Sequence, residues 1–303
     1  MPLCAGRRPT RAEVGVALGL GAALCWGLAD YVAARAARTV GTLRTVVGFH
    51  VVATALLAAL ALATGALDDV GVDDLPLFAL IGTLGWGSYV AFYGALRIGP
   101  ISIVSPIVSG YAVVTVLLAV VVLDERLSTA ELLAIVVSFG GVALASVDPR
   151  GVGHPARAQA LGIVLAVVTM VLIGTFVFGV AYRSDDLGWL APILLARAFS
   201  LLWLVGQAGV TRALGPPDRR PLVLGAIALL AVLDTGGYVC FNVGTTHADT
   251  AIVAAASAPY ALVPVAAGVA LLHERPARTQ WAGIALVLAG LVLLGIVSGL
   301  PGG

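Results

Sequence analysis

Along most of the chain apolar residues run in blocks of about 20, the length that crosses a bilayer as a helix, and clusters of Asp, Pro, Gly and Arg separate the blocks. The pattern predicts spanning helices at residues 14–36, 40–64, 75–97, 101–123, 131–148, 158–182, 189–210, 221–245, 249–273 and 278–298. Inside these blocks polar side chains recur at helical spacing. Asp234, Tyr238 and Asn242 stand at i, i+4 and i+8 and so share one face; Trp86, Tyr89 and Tyr93 make a similar stripe earlier in the chain. A face that carries a carboxylate, a phenol and an amide is poorly suited to lipid, which predicts that the first stripe turns inwards. The second is either packing or part of a binding box, and its tyrosine hydroxyls need partners inside a membrane.

The blocks also repeat. With a shift of 149 residues, Glu125-Arg126 falls on Glu274-Arg275, Tyr111 on Tyr260, Tyr89 on Tyr238, Phe92 on Phe241 and Gly87 on Gly236. Apolar coincidences mean little in so Ala-, Val- and Leu-rich a sequence, but these matches are in register, and they read as an internal duplication. The chain then divides into a tail (1–13), a first repeat (14–148), a linker (149–157), a second repeat (158–298) and a short C-terminal tail (299–303). Five spans per repeat is an odd number, so the second copy enters the bilayer from the opposite side. The expected fold is an all-α polytopic membrane protein of ten transmembrane helices in two inverted five-helix repeats, the plan of secondary carriers with a midplane site. Arg7, Arg8 and Arg11 ahead of the first block resemble the start of a signal peptide, but the block is longer than a typical signal core and is expected to stay as a helix.

Composition narrows the chemistry. Of 303 residues, 60% are hydrophobic and 11% charged, less than half the charge of an ordinary soluble protein, and the formal net charge of +1 gives no reason to expect a nucleic-acid partner. All 17 basic residues are Arg, and without Lys there is no Walker A loop, no Schiff base and no Ser/Lys dyad. Cys4, Cys25 and Cys240 form no CxxC pair, while His50, His154, His247 and His273 form no HExxH or HxxxH pair. An enzyme is therefore not expected, nor a metal or other cofactor.

Charges inside spans are costly and mark candidate sites. Arg197 and Asp234 lie near the middle of neighbouring predicted spans and are expected to pair, either to fix helix register or to line a cavity where substrate shares them. Asp30 could couple transport to protons, or be neutralised by Arg35 or Arg44. Ser102, Ser105 and Ser109 flank Pro106, as Ser257, Tyr260 and Pro264 flank Pro259; a proline frees a backbone carbonyl that must face protein or a watery cavity, so both helices are expected to kink and line the site. The alternative is that the serines only bond to their own helix. Glu125 and Glu274 mark helix ends, where a carboxylate caps the helix that follows, near Ser128 and Thr279, or pairs with an Arg. Gly15 and Gly19 predict close packing, between the halves or in a dimer.

Gly99-Pro100 opening a span, Pro106-Ile107 within it, Glu125 to Ser128 after it and Gly140 to Leu144 in the next, with Glu274-Arg275-Pro276 and Gly290 to Val292 in the second half, resemble the EamA domain of the drug/metabolite transporter superfamily. Trp26-Gly27, Arg44 and Arg197 fit the same pattern, and the second copy departs from it at Ala248-Asp249, where Gly-Pro would stand. The resemblance implies a ten-helix carrier of two inverted repeats with a central cavity, of a kind that often exports amino acids, other metabolites or amphipathic drugs. The expected protein is a secondary carrier of the plasma membrane, monomer or homodimer, that works by alternating access. The resemblance also implies cytoplasmic termini, whereas counting arginines by the positive-inside rule places them outside. The residues expected along the path are Trp86, Tyr89, Tyr93, Ser105, Ser109, Asp234, Tyr238, Asn242, Ser257 and Tyr260, with Asp30, Arg44, Arg197 and Asp234 as charge partners or coupling groups. A proton-coupled exporter of small cations and a membrane scaffold without transport are the rival readings.

Overall fold

The computed structural model describes residues 10–123, 128–145, 156–214 and 220–298, and among these it contains helices and turns with no strand. In chain order the α-helices are α1 (Arg11–Val40), α2 (Thr42–Thr64), α3 (Leu75–Ile98), α4 (Ile101–Ser109), α5 (Tyr111–Leu123), α6 (Thr129–Ala145), α7 (Ala156–Tyr182), α8 (Ser184–Leu187), α9 (Leu190–Thr211), α10 (Pro221–Thr245), α11 (Thr250–Ser257), α12 (Leu262–Leu271) and α13 (Arg278–Ser298). Among the described residues seven segments are long and apolar enough to cross a bilayer: α1, α2, α3, α4 with α5, α7, α9 and α10. Glu125, Arg126, His154 and most of the expected linker lie outside the described residues.

Local signals set the boundaries. Thr10 caps α1 through the Glu13 N–H at 3.2 Å while the Glu13 carboxylate accepts from the Thr10 N–H, so the helix starts three residues before the expected 14. Gly41 joins α1 to α2 with φ +92°, a backbone state that lets one residue turn the chain. The two proline-bearing spans are both interrupted at corresponding places. The first breaks at Gly110 between α4 and α5, and the second passes through a 3₁₀ turn, Ala258–Ala261, between α11 and α12.

Leu20, Leu24 and Leu28 lie along the outside of α1, 47 to 61% exposed, while Trp26 and Asp30 on the opposite face are nearly closed off. Apolar side chains point out and polar ones in, the arrangement a bilayer demands. Helix pairs approach closely at glycines. Gly15 and Gly19 receive Ala248 and Ala256 from the second half, so the small-residue face serves contact between halves, and Gly141 and Gly290 let α6 lie against α13.

The packing follows the duplication. Contact of α1 with α10 exchanges with that of α3 with α7 under the 149-residue shift, contact of α4 with α12 exchanges with that of α5 with α11, and the pairs α2–α9 and α6–α13 map onto themselves. α1 and α3 run the same way, because Arg38 at the end of α1 donates to Leu96 O (3.2 Å) and Gly99 O (3.1 Å) at the end of α3. α7 runs against α3: Gly162 meets Gly99 at one end of the pair, and Gly179 meets Ile81 at the other.

Candidate functional site

A narrow central cavity lies between the two halves. Trp26 and Asp30 of α1, Tyr89 and Tyr93 of α3, Tyr111 of α5, Asp234 and Tyr238 of α10 and Tyr260 of the 3₁₀ turn form its polar and aromatic wall. Two pairs of duplicated residues touch across it. Tyr89 Oη is 3.3 Å from Tyr238 Oη, and the rings of Tyr111 and Tyr260 are 6.0 Å apart. A residue can meet its own counterpart only close to the axis that relates the copies, so the cavity sits on that axis.

The charges break the symmetry. Arg197, on α9, is fully buried and its Nη2 bonds Asp234 Oδ2. The guanidinium lies 4.8 Å from the centre of the Tyr238 ring, and Nη2 also donates to Tyr89 Oη at 3.4 Å; that hydroxyl is 3.4 Å from Asp234 Oδ1. Arg197 Nε and Nη1 are buried with no partner. His50 closes the cluster from α2, its ring edge-on to Tyr89 and its Nδ1 3.0 Å from Val46 O.

Asp30 is the second carboxylate of the cavity, 6% exposed, and it accepts from Ser105 Oγ at 3.1 Å. Among the described residues no cation pairs with it. Arg35 bonds Tyr31 instead (3.2 Å), and among the described residues Arg44 forms no hydrogen bond or ion pair, so the expected neutralisation of Asp30 by either arginine does not occur. Each of the three charges stands opposite a glycine in the other copy: Asp30 opposite Gly179, Arg197 opposite Gly48, Asp234 opposite Gly85. A β-carbon on Gly85 would come within 2.8 Å of the Phe176 ring, and one on Gly179 within 2.9 Å of Ile81. The scaffold is doubled while the charge is single.

Of the sequence-expected residues, Tyr89, Tyr93, Asp234, Tyr238, Tyr260 and Asp30 line the cavity. Arg197, Ser105 and Ser257 stand one layer behind it; Ser257 Oγ lies 2.5 Å from Tyr111 Oη. Four residues lie elsewhere. Trp86 Nε1 donates to Gln207 Oε1 at 2.8 Å on the α9 side, which satisfies the indole away from the cavity. Ser109 Oγ donates to Pro106 O at 2.6 Å, an acceptor left over because the break sends the Gly110 N–H to Ile107 O. Asn242, about 12 Å along α10 from Asp234, donates to Trp189 O at 3.4 Å. Arg44 is half-buried near the start of α2. Of the two readings of Glu274, the pairing with an arginine is met by Arg38 Nη2 at 3.9 Å, while the cap falls on another helix: Glu274 caps α4 of the other half, accepting from the Ile101 N–H (3.0 Å) and Ser102 N–H (2.8 Å), and Gln280 holds the Ala277 N–H ahead of the following helix. Sequence reasoning missed Trp26 and Tyr111 as cavity residues. Trp26 stands four residues before Asp30, a helical neighbour that pointed to it.

These features define a duplicated, multi-pass membrane protein with an aromatic and charged chamber between its copies. The model of the EamA-like transporter family matches residues 13–147 and again 160–296, and the chain belongs to that family: it is an integral membrane transporter. Family membership points to a transporter rather than an enzyme. No curated protein matches the chain at a significant level. A solved structure described only as a crystal structure of a protein is similar to it with a TM-score of 0.65 and 17% identity, over 94% of this chain and 97% of that one, a likeness of fold.

Proposed function

We propose that the protein is a secondary carrier of the plasma membrane with ten spans in two inverted five-helix repeats, exporting small polar or amphipathic metabolites such as amino acids by alternating access. The observation that carries this reading is the meeting of Tyr89 with Tyr238 and of Tyr111 with Tyr260 in one chamber: a substrate held there touches both copies, and rocking of one copy against the other exposes it to either side. The opposed courses of α3 and α7, with α1 parallel to α3, support the inversion. The segments α6, α11 with α12, and α13 supply the remaining spans of the proposed ten.

Asp30 favours substrates that bring an ammonium group. It is a buried carboxylate without a cationic partner among the described residues, and tyrosine and tryptophan faces around it attract a cation. Asp234 needs no such ligand, because Arg197 already neutralises it. The same observation supports the second reading, an exporter of small cations. Flux into proteoliposomes tests both: wild-type protein moves amine-bearing metabolites, Asp30→Asn loses that flux while keeping its elution profile and melting temperature, and competition by zwitterionic amino acids or by a tetraalkylammonium ion tells the two apart. Undiminished flux of every amine in Asp30→Asn refutes the assignment, and absence of flux for any solute in wild type favours a scaffold.

A further inference from the structure

A second, larger cavity opens at the end of the molecule where α1 and α3 finish, α4 begins and the chain passes from α12 to α13. It shares no lining residue with the central chamber. Tyr93 and Arg97 on α3, and Ser105 and Ser102 on α4, place the two about one helical turn apart.

The polar wall of this vestibule is made of donors. Arg38, Arg97 and Arg275 contribute guanidinium groups. Gln280, 1% exposed, has its amide orientation fixed by the bond from the Ala277 N–H to Oε1 at 2.7 Å, which leaves Nε2 as the unused end, buried and without a partner. Ser102 is fully buried and its Oγ has no partner either. The one carboxylate of the lining, Glu274, is occupied by the Ile101 and Ser102 N–H groups, with Arg38 Nη2 3.9 Å away. Buried donors left unused cost free energy that an acceptor would return, and arginines beside them select an acceptor with negative charge.

We propose that the vestibule binds an oxyanion group, phosphate or carboxylate, held by Ser102 Oγ, Gln280 Nε2 and the Arg97 guanidinium. The inference stands apart from the transport reading, since it concerns binding at the mouth and no step of translocation. At a membrane face the oxyanion comes either free in solution or on an anionic lipid headgroup, and the chemistry of the contact is the same. Full-length protein in neutral detergent, titrated with sodium phosphate at constant ionic strength by calorimetry, gives the first arm; native mass spectrometry after extraction from phosphatidylglycerol-containing membranes gives the second. Ser102→Ala removes one donor, and Arg97→Gln changes an exposed residue and leaves the fold intact. Phosphate binding weakened about tenfold or more in each variant supports a soluble anion. Lipid retained by wild type and lost from the variants supports a headgroup. Equal behaviour of wild type and both variants in the two arms overturns the proposal and leaves a water-filled mouth.

Discussion

Asp234→Asn is the perturbation whose outcome the structure constrains most tightly. The side chain of Arg197 is 0% exposed and that of Asp234 is 9% exposed, so the pair is closed to solvent. The amide keeps the volume and an acceptor oxygen but removes the charge, and a guanidinium with two N–H groups already unpartnered is left with no counter-ion. Removing one member of a buried pair costs about 3–5 kcal/mol, or two to nearly four orders of magnitude in the folding equilibrium. Removing both is different. Arg197→Met with Asp234→Leu leaves no bare charge, and the double variant is expected within about 1 kcal/mol of wild type. Tryptophan fluorescence during unfolding in micelles measures the cycle, and proteoliposome flux measured on the same samples separates support of the fold from service to the substrate. The expected result is a fragile, inactive single variant beside a stable, inactive double variant. A single variant within about 0.5 kcal/mol of wild type, or a double as fragile as the single, refutes the reasoning about burial; a double variant with normal flux refutes the role in transport.

Gly237→Ala places a methyl against the Trp26 indole, which must swing toward the chamber; flux should fall well below wild type while insertion continues, measured by transport and by membrane yield. Cys25 on α1 and Cys240 on α10 are free thiols in mutual contact across the halves, so a short bis-methanethiosulfonate reagent should join them and stop flux, with mass spectrometry reporting the link and Cys25→Ala abolishing both effects.

The membrane class and the duplication were legible because both live in patterns longer than any side chain: blocks of about 20 apolar residues, and Tyr, Glu and Arg recurring in register. The Arg197–Asp234 pair was legible because two opposite charges at similar depth in neighbouring spans have few other ways to be satisfied. The partner of Asp30 was not. Arg35, five residues on, has turned away around the helix and found Tyr31 one turn back, while Ser105 reaches Asp30 from a different span. The cap expected of Glu274 on its own following helix failed for a related reason, although its pairing with an arginine holds. A capping carboxylate is expected to serve its own chain neighbour, yet Gln280 took that place and freed Glu274 for the other copy. Helical periodicity placed Asn242 on the face of Asp234 but carried no information about how far along that face the cavity extends.

A two-copy carrier with identical linings would present the same surroundings to its cargo in both end states, since exchanging the copies exchanges the states. Here Asp30, Arg197 and Asp234 have glycines as their counterparts, two of them too crowded to accept a side chain. Under the alternating access proposed above, facing one way and facing the other would therefore be unequal in energy for a bound ion, a preference between two openings that the doubled backbone alone would not give.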